Sequence, residues 1–112
     1  MHYTVNEIKA IIAEATQAGR NAAADAYERN GNTDWDACGF AWVNIWGVKG
    51  NTKLGKALKA AGIQQDYTRA FSIWGGQFYS GQSISIKEAA CSAARDVFKR
   101  YGFDATVGSR LD

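Results

Sequence analysis

The 112-residue sequence contains no proline, one histidine, one methionine and two cysteines. Without proline there are no proline-rich docking motifs, cis-proline turns or rigid proline linkers, so turns must be made by Gly, Asn, Asp and Ser. His2, the only imidazole, would have to serve any Ser-His-Asp or Cys-His catalytic pairing, and no spacing supports a metal site. Cys38 and Cys91 form no Cys-x-x-Cys pair, and their isolation predicts two reduced thiols in a cytosolic protein. Residues 1–9 show no basic region followed by an apolar run, so no secretory signal is read there. The longest apolar stretch, residues 38–48, is interrupted by Asn44 and falls short of the ~20 residues that span a bilayer, so no membrane association is expected.

What is present describes a single globular domain over residues 1–112. The chain is 46% hydrophobic and 12% aromatic, which argues against disorder and allows one moderate core. The net charge of +2 is unevenly spread. Residues 1–37 carry three basic and six acidic side chains, whereas residues 38–112 carry ten basic and five acidic. The second part therefore has the composition of a basic surface, or of a partner for the acidic first part within one fold.

Helical and strand periods alternate along the chain. Thr4 and Glu7 make a capping box, Tyr3 and Ile8 occupy staple positions, and an alanine-rich apolar stripe runs to a stop at Asn30-Gly31-Asn32. Residues 38–46 read as the best strand, with Ala41, Val43 and Ile45 on one face and Phe40, Trp42, Asn44 and Trp46 on the other. Because both faces are largely apolar, a central strand covered on both sides is expected; left uncovered, the aromatic face would meet a partner. A short helix over 51–61 follows, capped by Asn51, with Lys53, Lys56 and Lys59 opposite its apolar face. Residues 67–74 read as a second strand, Gly75-Gly76 as a turn, and 77–83 as loop or a short extra strand. A third helix begins at a capping box of Ser85 and Glu88 and stops at Gly102, and residues 103–107 alternate as a last strand. The expected fold is α+β, or a small α/β domain, with three helices on a three- to four-stranded sheet in the order helix, strand, helix, strand, helix, strand. Helical connections allow parallel neighbours.

Two constellations stand out as sites. Residues 50–56 match the G-x-x-x-x-G-K spacing of a phosphate loop, but Ala57 replaces the Ser or Thr that would hold magnesium, and Gly55 and Lys56 fall within the helical pattern. What survives is an anion site in which Lys49 and Asn51 precede a helix start and Lys53, Lys56 and Lys59 stand on its exposed arc, with Arg69 nearby. The competing interpretation is a solvated lysine face. The aromatics Trp35, Trp42, Trp46, Phe71, Trp74, Phe78 and Tyr79 cluster in mid-chain. Size and position assign Phe40, Trp42 and Phe71 to the core, and assign Trp46, Trp74 and Tyr79, near element ends, to contact. Asp34 and Asp36 read as turn formers or caps rather than a catalytic carboxylate pair. The polar end, Ser109, Arg110 and Asp112, reads as solvated chain.

Four stretches, residues 38–45, 47–56, 87–90 and 107–112, resemble a group of small proteins encoded by tailed bacteriophages and prophages. Gly75-Gly76 stands where that group has a proline-bearing loop. The resemblance implies a setting, the cytoplasm of a bacterial host, and supplies no catalytic residue and no cofactor. It also implies an accessory protein that binds and blocks a host or defence component, anti-CRISPR-like roles included. The sequence thus predicts a non-enzymatic inhibitor that binds a host or defence-system protein or nucleoprotein. A nucleic-acid or nucleotide-binding module and, third, a small carboxylate enzyme are the alternatives, and a homo-oligomer would follow if the aromatic strand face is closed by a symmetric partner.

Overall fold

The computed structural model describes residues 2–34 and 37–112. Trp35 and Asp36, both candidates in the sequence, lie outside the described residues. The elements follow the order α1 (Val5–Arg29), β1 (Gly39–Trp46), α2 (Lys53–Ala60), β2 (Gln64–Gln65), β3 (Phe71–Trp74), a 3₁₀ turn (Gly75–Gln77), α3 (Ile84–Arg100) and β4 (Asp104–Leu111). This is the expected α+β order, with the second strand folded as a small hairpin. The four strands lie in the order β2-β3-β1-β4 and every pair is antiparallel. The parallel neighbours that helical connections allow do not occur.

Local chemistry sets the element ends. Thr4 accepts from the Glu7 amide while the Glu7 carboxylate accepts from the Thr4 amide, so two free amides at the start of α1 are satisfied reciprocally. Thr52, not Asn51, caps α2: its hydroxyl accepts from the Gly55 amide and donates to the Lys49 carbonyl. Ser83, not Ser85, caps α3 by accepting from the Ile86 amide. The displaced cap has a long-range cause. Ser83 is fixed by a bridge to Cys38 and by its amide bond to Asp34, which locks the backbone two residues before the sequence pattern would start the helix. Gly102, at φ +92°, ends α3 in the left-handed region that favours glycine.

The core lies between the helices and one face of the sheet. Ala41, Val43 and Ile45 of β1, Phe71 and Ile73 of β3 and Ala105 of β4 are buried there with Ile86, Ala90, Val97 and Phe98 of α3. Helix α1 packs lengthwise on α3 through small residues, Ala15, Gly19 and Ala23. A Cβ on Gly19 would stand 2.9 Å from the Phe78 ring and 3.2 Å from the Ala90 carbonyl, so this seam closes only with glycine there. The element that approaches the alanine-rich stripe of α1 closely is thus α3.

Three expectations about the sheet need correction. β1 is covered on one face only, because the helices all contribute to the core on the Val43 side. Phe40 and Trp42 therefore leave the core: Phe40 is 36% exposed and Trp42 half-buried, while Phe71 is fully buried as expected. The strand read over 67–74 begins only at Phe71, since 66–69 form the hairpin turn, with the Arg69 amide donating to the Asp66 carbonyl. The strand read over 103–107 continues as β4 to Leu111, paired with β1 at every position from Asp104↔Trp46 to Leu111↔Gly39. Ser109 and Arg110 belong to this strand, not to a solvated tail.

Candidate binding face

Strand alternation sends the residues that skip the core to the opposite face of the sheet. Register brings them into rows: Trp42 between Trp74 and Gly108, Asn44 between Ser72 and Thr106, Phe40 beside Arg110, and Trp46 beside Asp104. Among the described residues, no helix lies over these rows. Trp74 is 53% exposed. Its ring centroid lies 5.5 Å from that of Trp42 at an interplanar angle of 55° and 6.3 Å from that of Phe40, edge to face. The Trp42 indole lies on Gly108, where an added Cβ would come within 2.5 Å of the ring. Glycine at 108 thus lets the indole settle against the β4 backbone. The Trp46 Nε1–H donates to the Thr106 hydroxyl at 2.8 Å, which ties that ring across the same strand. The Arg110 guanidinium stands 5.3 Å from the Phe40 centroid, within the range of a cation–π contact. Lys87 reaches the same ring at 5.4 Å while its ammonium donates to the Gly39 carbonyl at 3.0 Å.

The hairpin turn closes one side of this face. Asp66 accepts from both the amide and the hydroxyl of Thr68, and its Oδ2 lies 2.9 Å from the Ser72 hydroxyl, which also lies 3.0 Å from Asn44 Oδ1. These bonds, Thr68 first, hold the Asp66 carboxyl below the usual carboxylate range. Arg69 adopts φ +70°, uncommon for a residue with a side chain, and its carbonyl accepts from Gln65 Nε2 at 2.9 Å. The turn so fixed leaves Tyr67 97% exposed. A pocket of about 440 Å³ lies between the turn and the sheet, with Trp42, Trp46, Tyr67 and Trp74 around it, Asn44 and Ser72 in its lining, and Arg110 at its margin.

The candidate contact residues separate into four places. Trp46, Lys49, Asn51, Lys59 and Arg69 meet around a second depression of about 750 Å³, which shares Trp46, Asp66 and Thr68 with the aromatic pocket. The Lys59 ammonium donates to the Gly50 carbonyl at 3.3 Å, folding the side chain over the loop before α2. Lys53 and Lys56 instead border a groove of about 560 Å³ between α2 and residues 2–5. The lysine arc of α2 is therefore split between two surfaces. Gly55 and Lys56 lie inside α2, and a Cβ at Gly55 would sit 2.2 Å from the Lys49 carbonyl, so this glycine serves helix entry, not a phosphate loop. Trp74 is on the open face. Tyr79 is not: it is half-buried, and its hydroxyl donates to Asp34.

Asp34 also accepts from the Gln82 amide at 2.7 Å and the Ser83 amide at 3.0 Å. The Tyr79 bond foremost, with these amides, holds its carboxyl below the usual range. It acts as a loop clamp, in line with its reading as a turn former. Cys38 is exposed and Cys91 buried, both as free thiols, and burial pushes the Cys91 thiol up to about 12. The contributors missed by sequence are Phe40, Trp42, Tyr67 and Arg110. Alternation along β1 already placed the first two on the Trp46 face, and the weak alternation of Ala105, Val107 and Leu111 was the available sign that Arg110 sits in a strand.

Among the described residues, no group of three or more His, Cys, Asp or Glu side chains is arranged to hold a metal ion, and no helix is long and apolar enough to cross a membrane. Comparison with protein-family models, curated proteins and solved structures gives no match.

Proposed function

We propose that this chain is a non-enzymatic binding protein and that the open face of its sheet is the contact surface. The carrying observation is that exposed Trp74 and Tyr67 line one pocket with Arg110, with exposed Phe40 edge-on to Trp74 beside it, on the face of the sheet opposite the core. Contiguous apolar surface of this kind, rimmed by polar groups, is the usual mark of an interaction site. Aromatic and arginine side chains are also the commonest anchors of binding energy. A binding role rather than a reaction is supported by what the two low-pKa carboxylates do: Asp34 and Asp66 are both engaged in bonds that shape loops. Taken with the resemblance to small phage proteins, this reading makes the chain an accessory factor that engages a component of a bacterial host or of its defence systems.

The test compares two surfaces. A photo-crosslinking amino acid placed at Tyr67 should yield adducts with macromolecules of a bacterial host lysate, and the same group at Ala24, exposed on α1, should not. Adducts from position 24 with none from position 67 would move the contact surface to the helices.

A further inference from the structure

Building on the open face as contact surface, we infer that its occupant is a single-stranded nucleic acid, with bases stacked on Trp74 and Trp42 and phosphates held by Arg110 at one end and by Arg69, Lys49 and Lys59 at the other. Three observations carry the inference. First, the rings are presented as platforms: Trp42 is seated on Gly108, and Trp74 stands half exposed beside it at 5.5 Å. Stacking on such rings tolerates any base, because every base has a π-face, and it requires bases freed from a duplex. Second, the pocket between Tyr67 and the sheet has aromatic walls, with the polar groups of Asn44 and Ser72 in its lining. That combination suits a planar, hydrogen-bonding ring better than an aliphatic side chain. Third, the charge is of the right sign. Four cations border the two adjoining depressions and the open face, against Asp66 and Asp104.

The cations are also spaced for a strand of nucleic acid laid along β1. Arg110 pairs with Phe40 at one end of β1, and the Lys49, Lys59 and Arg69 group adjoins Trp46 at the other. At the usual strand rise the two ends are about 20 Å apart. Asp66, which lines both depressions, repels a phosphate near the rings and leaves them to the bases, while Lys49, Lys59 and Arg69 outnumber it at the outer depression.

Fluorescence anisotropy with single-stranded DNA and RNA probes of about ten nucleotides tests this directly. The expected result is binding to at least one probe, with affinity falling linearly in log–log terms as salt rises. Trp74→Ala should weaken binding between about 5- and 150-fold, the range for loss of one stacked base, and Trp74→Phe should recover most of it. Arg110→Gln should lower the salt slope by about one. Thermal melts of each variant separate these effects from unfolding, and Arg110→Gln keeps the test decisive if Trp74→Ala does not fold. No binding to either probe at low salt overturns the inference, as does equal affinity for duplex, or binding indifferent to both substitutions. If protein adducts form at position 67 while both probes fail, the open face stands as a contact surface and nucleic acid falls as its occupant.

Discussion

Strand β1 has two faces of nearly equal apolarity and opposite fates. Ala41, Val43 and Ile45 are buried against α3, while Phe40, Trp42 and Trp46, larger and more hydrophobic in area, stay at the surface. Bulk hydrophobicity therefore does not decide which face is covered. Shape does: the small and β-branched side chains of the inner face let a helix approach the sheet, and the alanine-rich surface of α3 fits them. The three rings of the outer face find cover from Trp74, from Arg110 and Lys87 over Phe40, from Gly108 and from Thr106. The lesson is that aromatic richness in a strand can mark the side left open, where large rings retain a use beyond stability.

Three tests, with four substitutions, sharpen or break this contrast. The largest effect belongs to the inner face: Phe71→Ala should cost about 3–5 kcal/mol in urea unfolding. Trp74→Ala, its neighbour three positions along β3, should stay within about 0.5 kcal/mol. Equal losses would mean that the outer face is part of the core after all. Next, Gly108→Val should push the Trp42 ring off β4, costing about 1–3 kcal/mol by overpacking and altering the near-ultraviolet circular dichroism of the Trp42–Trp74 pair. A spectrum identical to that of the parent protein would show that the ring is not seated on that glycine. The smallest effect concerns Asp34, which lies between α1 and β1 and clamps that segment to the cap of α3. Asp34 has a lowered folded-state pKa, so its contribution is complete above the ordinary carboxylate range and is lost as pH falls through the lower, folded-state value. Asp34→Asn should cost about 1 kcal/mol at neutral pH and nothing at strongly acidic pH, read from denaturation midpoints at the two pH values. A cost that persists in acid would assign the loss to packing, not to the carboxylate.

Much of the fold was legible because it is local. Thr4 and Glu7 are three residues apart, and a capping box is complete within one turn, so α1 could be read from the sequence directly. The stop at Gly102 is equally local. What the sequence did not show depends on distant partners. Ser85 carries the local capping pattern, and the shift of the cap to Ser83 is made by Asp34, 49 residues away from Ser83. The polar run from Gly108 to Leu111 becomes strand only because β1 offers it a register. The candidate site was half legible for the same reason. Trp46, Lys49, Lys59 and Arg69 converge as their positions suggested, and Trp74 lies on the open face. Lys53 and Lys56 diverge because α2 turns that part of its arc toward residues 2–5. Tyr79 was misplaced because its partner, Asp34, lies 45 residues upstream.

The seam between α1 and α3 has a consequence for how this protein can change over generations. With Gly19 pressed against Phe78 and the Ala90 carbonyl, almost any larger residue there disturbs the fold, and no gain in recognition compensates because the seam touches nothing outside the molecule. The rings on the open face are under the reverse constraint: they can be exchanged while the scaffold keeps its shape. Under the proposed binding role, adaptation to an altered target is channelled to one side of a sheet, and a lineage can explore new specificities there without first acquiring stabilising changes elsewhere.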